Sequence, residues 1–434
     1  MHKVSPGAAL VQCTDSILVC ALQFDGRGDI YGGHEVALRV QKLMPHAKVV
    51  FSVLKPRFTT DDSDAFLTKE FVDISEVRKQ EQWPIEEEAT VLQSISTFKK
   101  IIVFPTYQDS YLPEEILNRN NDVIKLREYG VGVPKLGIVN GPTYTLGLDF
   151  AKNEKGVLLP IEWAGVIPPS NIESTEQRLL HLKDVEPALS KAILGKDFSS
   201  EAVKAFSQSS RLYLGYYSQP DVFFCFINAL LATKKTNLVI YSTQKRPAEL
   251  MAKVSGSLLE NGFGMDILEF SDSLNFKQKR MNHTSKSKLC TFIFRPLSGT
   301  EMEAVLKASE NETLSTGDLS PFKFMANRKT IIYDTRTQKH QSAEAMIRLA
   351  TQYEPRFKEL LSQAFFGDDH PSQTVNVSDL TNGMIQWIKA MEEDSSLREN
   401  WNKFIDEVFS KYDFTSRLAE ILKERMSESL VDSE

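Results

Sequence analysis

Two glycine-containing turns hold the residues with the most chemistry to offer. The first is the stretch Phe24-Asp25-Gly26-Arg27-Gly28-Asp29-Ile30-Tyr31-Gly32-Gly33-His34-Glu35. Gly26, Gly28, Gly32 and Gly33 let a backbone approach a ligand closely, and Asp29 and His34 are two side chains able to accept a proton. The second is Ser315-Thr316-Gly317-Asp318-Leu319-Ser320. Backbone N–H groups at a helix start bind phosphate. The Thr316 and Ser320 hydroxyls add donors, and the Asp318 carboxylate can accept from ribose or sugar hydroxyls. Each turn also has a plainer reading, as a helix cap with no ligand.

Neighbouring residues narrow the chemistry. A dinucleotide fingerprint needs GxGxxG and an acidic residue closing the second strand. Here the glycine spacing differs, and Ser52-Val53-Leu54-Lys55 has no carboxylate. No GxxxxGK[ST] occurs, which argues against a P-loop. Arg295, just past an apolar run, has two readings: a phosphate ligand or half of an ion pair. Tyr216, in Tyr213-Leu214-Gly215-Tyr216-Tyr217-Ser218, reads as a neighbour of a bound base or as core. Asp62-Ser63-Asp64 has the DxD form of a metal-diphosphate site but lies in an acidic stretch that reads as a solvated loop. Lys277 to Lys288 is basic and reads as a mobile loop. Cys13, Cys20, Cys225 and Cys290 have no ligand spacing; they read as buried reduced thiols, and no metal site is expected.

The elements that must position these turns alternate along the chain. Ser16 to Phe24 reads as a buried strand, Glu35 to Met44 as a helix and Lys48 to Leu54 as a second strand. That βαβ unit places the first turn at the carboxyl edge of a parallel sheet, where ligands bind. Further on, a helix is expected from Pro84 to Phe98, a strand at Ile101 to Phe104, a helix from Leu112 to Tyr129, a strand at Lys135 to Val139 and another apolar run at Gly156 to Pro160. After Pro168-Pro169 the alternation restarts. Strands are expected at Arg211 to Tyr217, Asn237 to Tyr241, Met265 to Phe270, Leu289 to Phe294, from Glu312 into the second turn, and at Thr330 to Tyr333. Helices are expected from Pro220 to Thr233, Pro247 to Leu259 and Thr300 to Ser309, and from Ser320. The tail from Ser342 to Met426 reads as helical, and 427–434 as frayed.

The fold class is therefore α/β, with two doubly wound Rossmann-like domains and a helical C-terminal segment. The expected divisions are 1–167, a linker with a helix at 168–205, a second domain at 206–390, and helices at 391–434 packing back toward the first domain. The chain has 434 residues, 41% hydrophobic, with a net charge of -7, which disfavours nucleic acid as a partner. No run approaches a membrane span, so a soluble cytoplasmic protein is expected. The acidic tail also suits a bacterial protein exported to a host cell. Two facing sheets with ligand loops at their carboxyl edges would place a nucleoside diphosphate on one side and an acceptor on the other.

In this arrangement the sequence resembles the GT-B glycosyltransferases over most of its length. Arg27-Gly28-Asp29-Ile30-Tyr31-Gly32 and Gly317-Asp318-Leu319-Ser320-Pro321-Phe322 are similar to motifs of one branch, the protein-arginine rhamnosyltransferase of elongation factor P. The resemblance implies a metal-independent inverting transfer from a UDP- or dTDP-linked sugar, as co-substrate rather than cofactor, to a protein or small-molecule acceptor. It implies Asp29 as base, with His34 as a substitute. Donor contacts would come from Arg295, Tyr216, Thr316, Gly317, Asp318, Leu319 and Ser320. The rival readings are a sugar-nucleotide epimerase and a non-catalytic binding protein of the same fold.

Overall fold

The hydrophobic run Ser16–Leu22 forms β1, whose residues Ile17 to Ala21 are fully buried. Such a continuous apolar strand suits a parallel sheet covered on both faces. The computed structural model describes residues 16–22, 28–56, 76–77, 81–83, 98–104, 123–127, 143–145, 175–185, 190, 193–194, 199–242, 248–270, 276–281, 288–295, 297, 299–317, 320–335, 340–367, 376–411 and 414–431. The chain divides into two compact units, unit 1 being Met1–Glu162 with Val408–Glu434, and unit 2 being Trp163–Glu407.

In unit 1, β1 is followed by α1 (Gly28–Leu43), β2 (Lys48–Pro56), β3 (Glu76–Val77), β4 (Glu81–Trp83), β5 (Lys100–Phe104), β6 (Val123–Arg127) and β7 (Thr143–Thr145). The sheet runs β3-β2-β1-β5-β6-β7, with β4 also on β2. Every pairing is parallel, with Val19 opposite both Phe51 and Ile102. This is the doubly wound order, and its direction reverses between β1 and β5. A helix further along the chain, Phe414–Val431, contributes Leu418, Ile421 and Leu422 to the same core as Ile17, Val36, Val40 and Phe51.

Two expectations need correction here. α1 starts at Gly28, not at Glu35, so Gly32 and Gly33 lie inside a helix and not in a turn. The reason is packing: a Cβ on Gly33 would stand 2.6 Å from the Ala21 Cβ and 3.3 Å from the Phe51 ring. Glycine here brings helix and sheet together, and that gain outweighs a propensity cost of about 1 kcal/mol. The helix expected to Tyr129 gives way to β6, whose Val123, Ile124 and Leu126 are buried beside β5. The helix from Pro84 and the strands at Lys135 and Gly156 lie outside the described residues, apart from Phe98.

Unit 2 opens with α2 (Thr175–Val185) and α3 (Ser200–Ser209), then β8 (Ser210–Gly215), α4 (Pro220–Thr233), β9 (Asn237–Ser242), α5 (Ala248–Glu260), β10 (Phe263–Phe270) and β11 (Phe276–Met281). Next come β12 (Lys288–Phe294), α6 (Gly299–Ala308), β13 (Glu312–Ser315), α7 (Ser320–Ala326) and β14 (Thr330–Tyr333). The helical tail is α8 (His340–Thr351), α9 (Phe357–Phe366), α10 (Val377–Glu393), α11 (Ser395–Lys411) and α12, the Phe414–Val431 helix, so residues expected to fray up to Val431 are helical. The sheet order is β11-β10-β12-β9-β8-β13-β14. All pairings are parallel except β10 with β11. β11 corrects the expected loop: Lys277 to Met281 belong to a strand whose backbone pairs antiparallel with β10, Lys277 in register with Glu269, and Gln278 Nε2 donates to Asp266 Oδ2 at 2.7 Å.

The outer strand β14 is closed by two tryptophans. Residues 329 and 331 turn their carbonyls away from β13, and Trp401 Nε1 and Trp387 Nε1 donate to them at 3.1 and 3.0 Å. Their rings meet edge-on at 5.5 Å and pack with Phe357. α10 lies close on α9 because Gly383 has no side chain; a Cβ there would be 2.2 Å from the Gln363 carbonyl oxygen.

Candidate functional site

The direction of unit 2's sheet reverses between β8 and β13. At such a point the loops leaving two neighbouring strands diverge to opposite faces and leave a crevice at the carboxyl edge. The loops concerned are Tyr216 to Gln219 after β8 and Thr316 to Ser320 after β13. Four expected site residues, Tyr216, Thr316, Gly317 and Ser320, thus meet at one place. The Tyr216 N–H donates to the Leu314 carbonyl at 2.9 Å, binding the first loop to β13. Gly317 has φ +89, a conformation that favours glycine. A Cβ there would lie 3.7 Å from Ser320 Oγ and 3.9 Å from the Tyr216 ring, which measures how closely the turn and the ring approach. The Tyr333 hydroxyl donates to the Gly317 carbonyl at 2.8 Å and holds the turn from β14.

Asp334, just past β14, was not among the expected residues. It is fully buried. Its Oδ2 accepts from the Ser218 N–H at 2.6 Å, the Ser218 hydroxyl at 2.9 Å and the Gln219 N–H at 2.9 Å, and its Oδ1 from Gln219 Nε2 at 3.2 Å. Its carbonyl accepts from the Thr316 hydroxyl at 3.1 Å, and Thr316 Oγ1 and Ser218 Oγ lie 3.2 Å apart. The sequence signal was a polar residue closing the apolar run Ile331-Ile332-Tyr333, at the edge where ligands bind.

Packing also shapes the first loop. Gly215 ends β8 because a Cβ would fall 2.5 Å from the Phe223 ring of α4. Phe223 stacks on Tyr217 at 4.2 Å. Burial raises the pKa of the Tyr217 phenol, against a hydrogen bond with Ser242 that lowers it.

Arg295 stands elsewhere. It follows β12, which is two strands from β8, roughly 10 Å along the sheet. Its guanidinium pairs with Glu301 of α6 and lies 5.5 Å from the Phe270 ring centroid. Asp318, Leu319 and Gly26 lie outside the described residues.

In unit 1 the corresponding reversal is between β1 and β5, and α1 begins there. Asp29 is the second residue of that helix, and Gly28 the first. His34 is in the second turn; it is buried, with its ring edge-on to Phe51 at 5.8 Å. Among the described residues no group of three His, Cys, Asp or Glu is placed to hold a metal ion. No described helix is long and apolar enough to cross a membrane.

The two units define the fold class: α/β of the GT-B type, two doubly wound Rossmann-like units with a helical C-terminal segment. Solved structures share it. One is a glycosyltransferase from Rickettsia africae, with 9% identity and a TM-score of 0.51, covering 95% of this chain and 98% of its own. Another is a Listeria monocytogenes protein assigned as a UDP-N-acetylglucosamine 2-epimerase, with 10% identity and a TM-score of 0.51, covering 97% of this chain and 98% of its own. No protein-family profile and no curated protein matches the sequence.

Proposed function

We propose that this chain is a glycosyltransferase that moves a sugar from a nucleoside-diphosphate donor to an acceptor by metal-independent inverting displacement. The observation that carries the reading is the crevice of unit 2, where Tyr216, Ser218, Thr316, Gly317 and Ser320 converge on the reversal of the sheet. The Ser320 hydroxyl and the turn backbone suit a diphosphate, and the Tyr216 ring suits a base. Asp318 and Leu319 complete the same turn in sequence. Arg295, held by Glu301, we assign to the edge of the sheet and not to the phosphates.

Unit 1 supplies the acceptor side in this reading. Asp29, in the first turn of a helix at the carboxyl edge, is the general base that takes the acceptor's proton as its nucleophile attacks the anomeric carbon. His34, packed on Phe51, we assign to the core. The acceptor is a protein side chain or a small molecule, and the donor a UDP- or dTDP-sugar. The setting is a bacterial cytoplasm, or a host cell after export.

Thermal shift and donor-only hydrolysis with a panel of nucleotide sugars test this directly. Binding with slow hydrolysis is expected. Binding with isomerised sugar nucleotide as product identifies an epimerase instead, and binding with no turnover a binding protein. If no nucleotide sugar shifts the melting temperature, the reading fails. Asp29→Asn is expected to abolish transfer while donor binding persists; unchanged turnover removes Asp29 as base.

A further inference from the structure

We propose that Asp334 is the positioning residue of the unit 2 crevice, holding Tyr216 and the Thr316–Gly317 backbone in the geometry that receives a nucleoside diphosphate. The inference rests on the donor-site reading above. All four partners of its carboxylate are donors, so the side chain acts purely as an acceptor, as an ionised carboxylate does. None of the four is a cation. The buried charge is balanced instead by two N–H groups just ahead of α4, a 14-residue helix whose N-cap, Gln219, makes no side-chain cap of its own.

The carboxylate therefore stands where an external anion at the start of α4 would stand. That position is filled by the chain itself, which leaves a diphosphate the turn after β13. The same residue fixes that turn through its main chain: its N–H donates to the Ser315 carbonyl at 2.8 Å and its carbonyl accepts from Thr316 at 3.1 Å. One residue thus fastens both loops that leave the reversal point. It touches no substrate atom in this scheme and acts through Ser218, Gln219 and Thr316.

The test is calorimetric titration of UDP and of dTDP into the full chain, its Asp334→Asn variant and its Asp334→Ala variant, with and without formate. Asp334→Asn keeps the shape, loses the charge and turns an amide N–H toward a donor, and is expected to fold with a lowered melting temperature and to bind the nucleotide about tenfold more weakly. Asp334→Ala is expected to bind more weakly still, and formate, a carboxylate small enough for the vacated position, to restore affinity where equal sodium chloride does not. A folded Asp334→Asn variant that binds as tightly as the parent overturns the positioning role. So does a folded Asp334→Ala variant whose weakened binding ignores formate. Should Asp334→Ala not fold, Asp334→Asn decides alone. A parent that binds neither nucleotide sinks the donor-site reading, and the positioning role with it.

Discussion

Asp334 and Ser218 are 116 residues apart in sequence, yet the Asp334 carboxylate accepts from both the N–H and the hydroxyl of Ser218, at 2.6 and 2.9 Å. The contact joins the end of β14 to the start of α4, passing the strand that lies between. A hydrogen bond to a buried charge contributes about 1.5–3 kcal/mol, more than a neutral one. The loop after β8 therefore has a fixed course although it has no regular structure.

Gly33→Ala is predicted to destabilise unit 1 by about 1–3 kcal/mol, although alanine is the better helix former. The added Cβ meets the Ala21 Cβ at 2.6 Å. Adding Ala21→Gly removes that atom, so the double variant is expected to recover part of the loss in urea denaturation. Additive losses would show that the contact is not the cause.

Two glycines of unit 2 should respond with opposite signs. Gly317→Ala has space but φ +89, so the cost is conformational, about 1 kcal/mol. Gly256, inside α5, has nothing within 4 Å of a built Cβ, and Gly256→Ala is predicted to stabilise by up to about 1 kcal/mol. Melting temperatures that move the same way in both variants would contradict this account.

Lys329 predicts a pH dependence. Its Nζ is buried and donates to the Ser309 and Glu310 carbonyls at 2.7 and 3.2 Å. Burial, then nearby Arg178, push its pKa from 10.5 down to about 7, against Glu310 and Glu312. The unfolded chain then binds more protons between those values, so stability rises with pH from about 7 towards 10.5. Below pH 7 both states are protonated and the penalty is constant. Between pH 7 and 9, the parent should gain on Lys329→Met by about 1 kcal/mol per pH unit. Parallel stability curves for the two proteins would refute it.

Trp401→Phe removes the indole N–H at the sheet edge together with part of the ring volume. A smaller aromatic ring remains, a cavity opens beside it, and the Lys329 carbonyl loses its donor at 3.1 Å. Leaving that buried group unpaired is predicted to cost about 1–3 kcal/mol, measured by chemical denaturation. A loss well below this range would mean that water or another donor replaces the indole.

Much of unit 2 was legible because its signals are local. Pro220 starts α4, alternating and continuous apolar runs mark β8 to β10 and β12 to β14, and Gly317 announces its turn. What escaped depends on partners far along the chain. Gly33 reads as part of a turn because Ala21 and Phe51, whose atoms demand the close approach, are visible only in three dimensions. β6 read as part of a helix because Pro113-Glu114-Glu115 suggested a helix start and Gly130 a stop, although Val123-Ile124 favours a strand. Asp334 was passed over because nothing beside it in sequence hints at Ser218.

The core of unit 1 has a consequence for synthesis. β1 and α1 are made early, but Leu418, Ile421 and Leu422 of α12, which close the same core, emerge only after all of unit 2. Unit 2 is contiguous and can fold as it leaves the ribosome, whereas the part of the first core that α12 covers stays open until the last helix arrives. For this chain the order of manufacture and the order of completion are reversed, and the nascent first unit is the stage at which a chaperone would be needed.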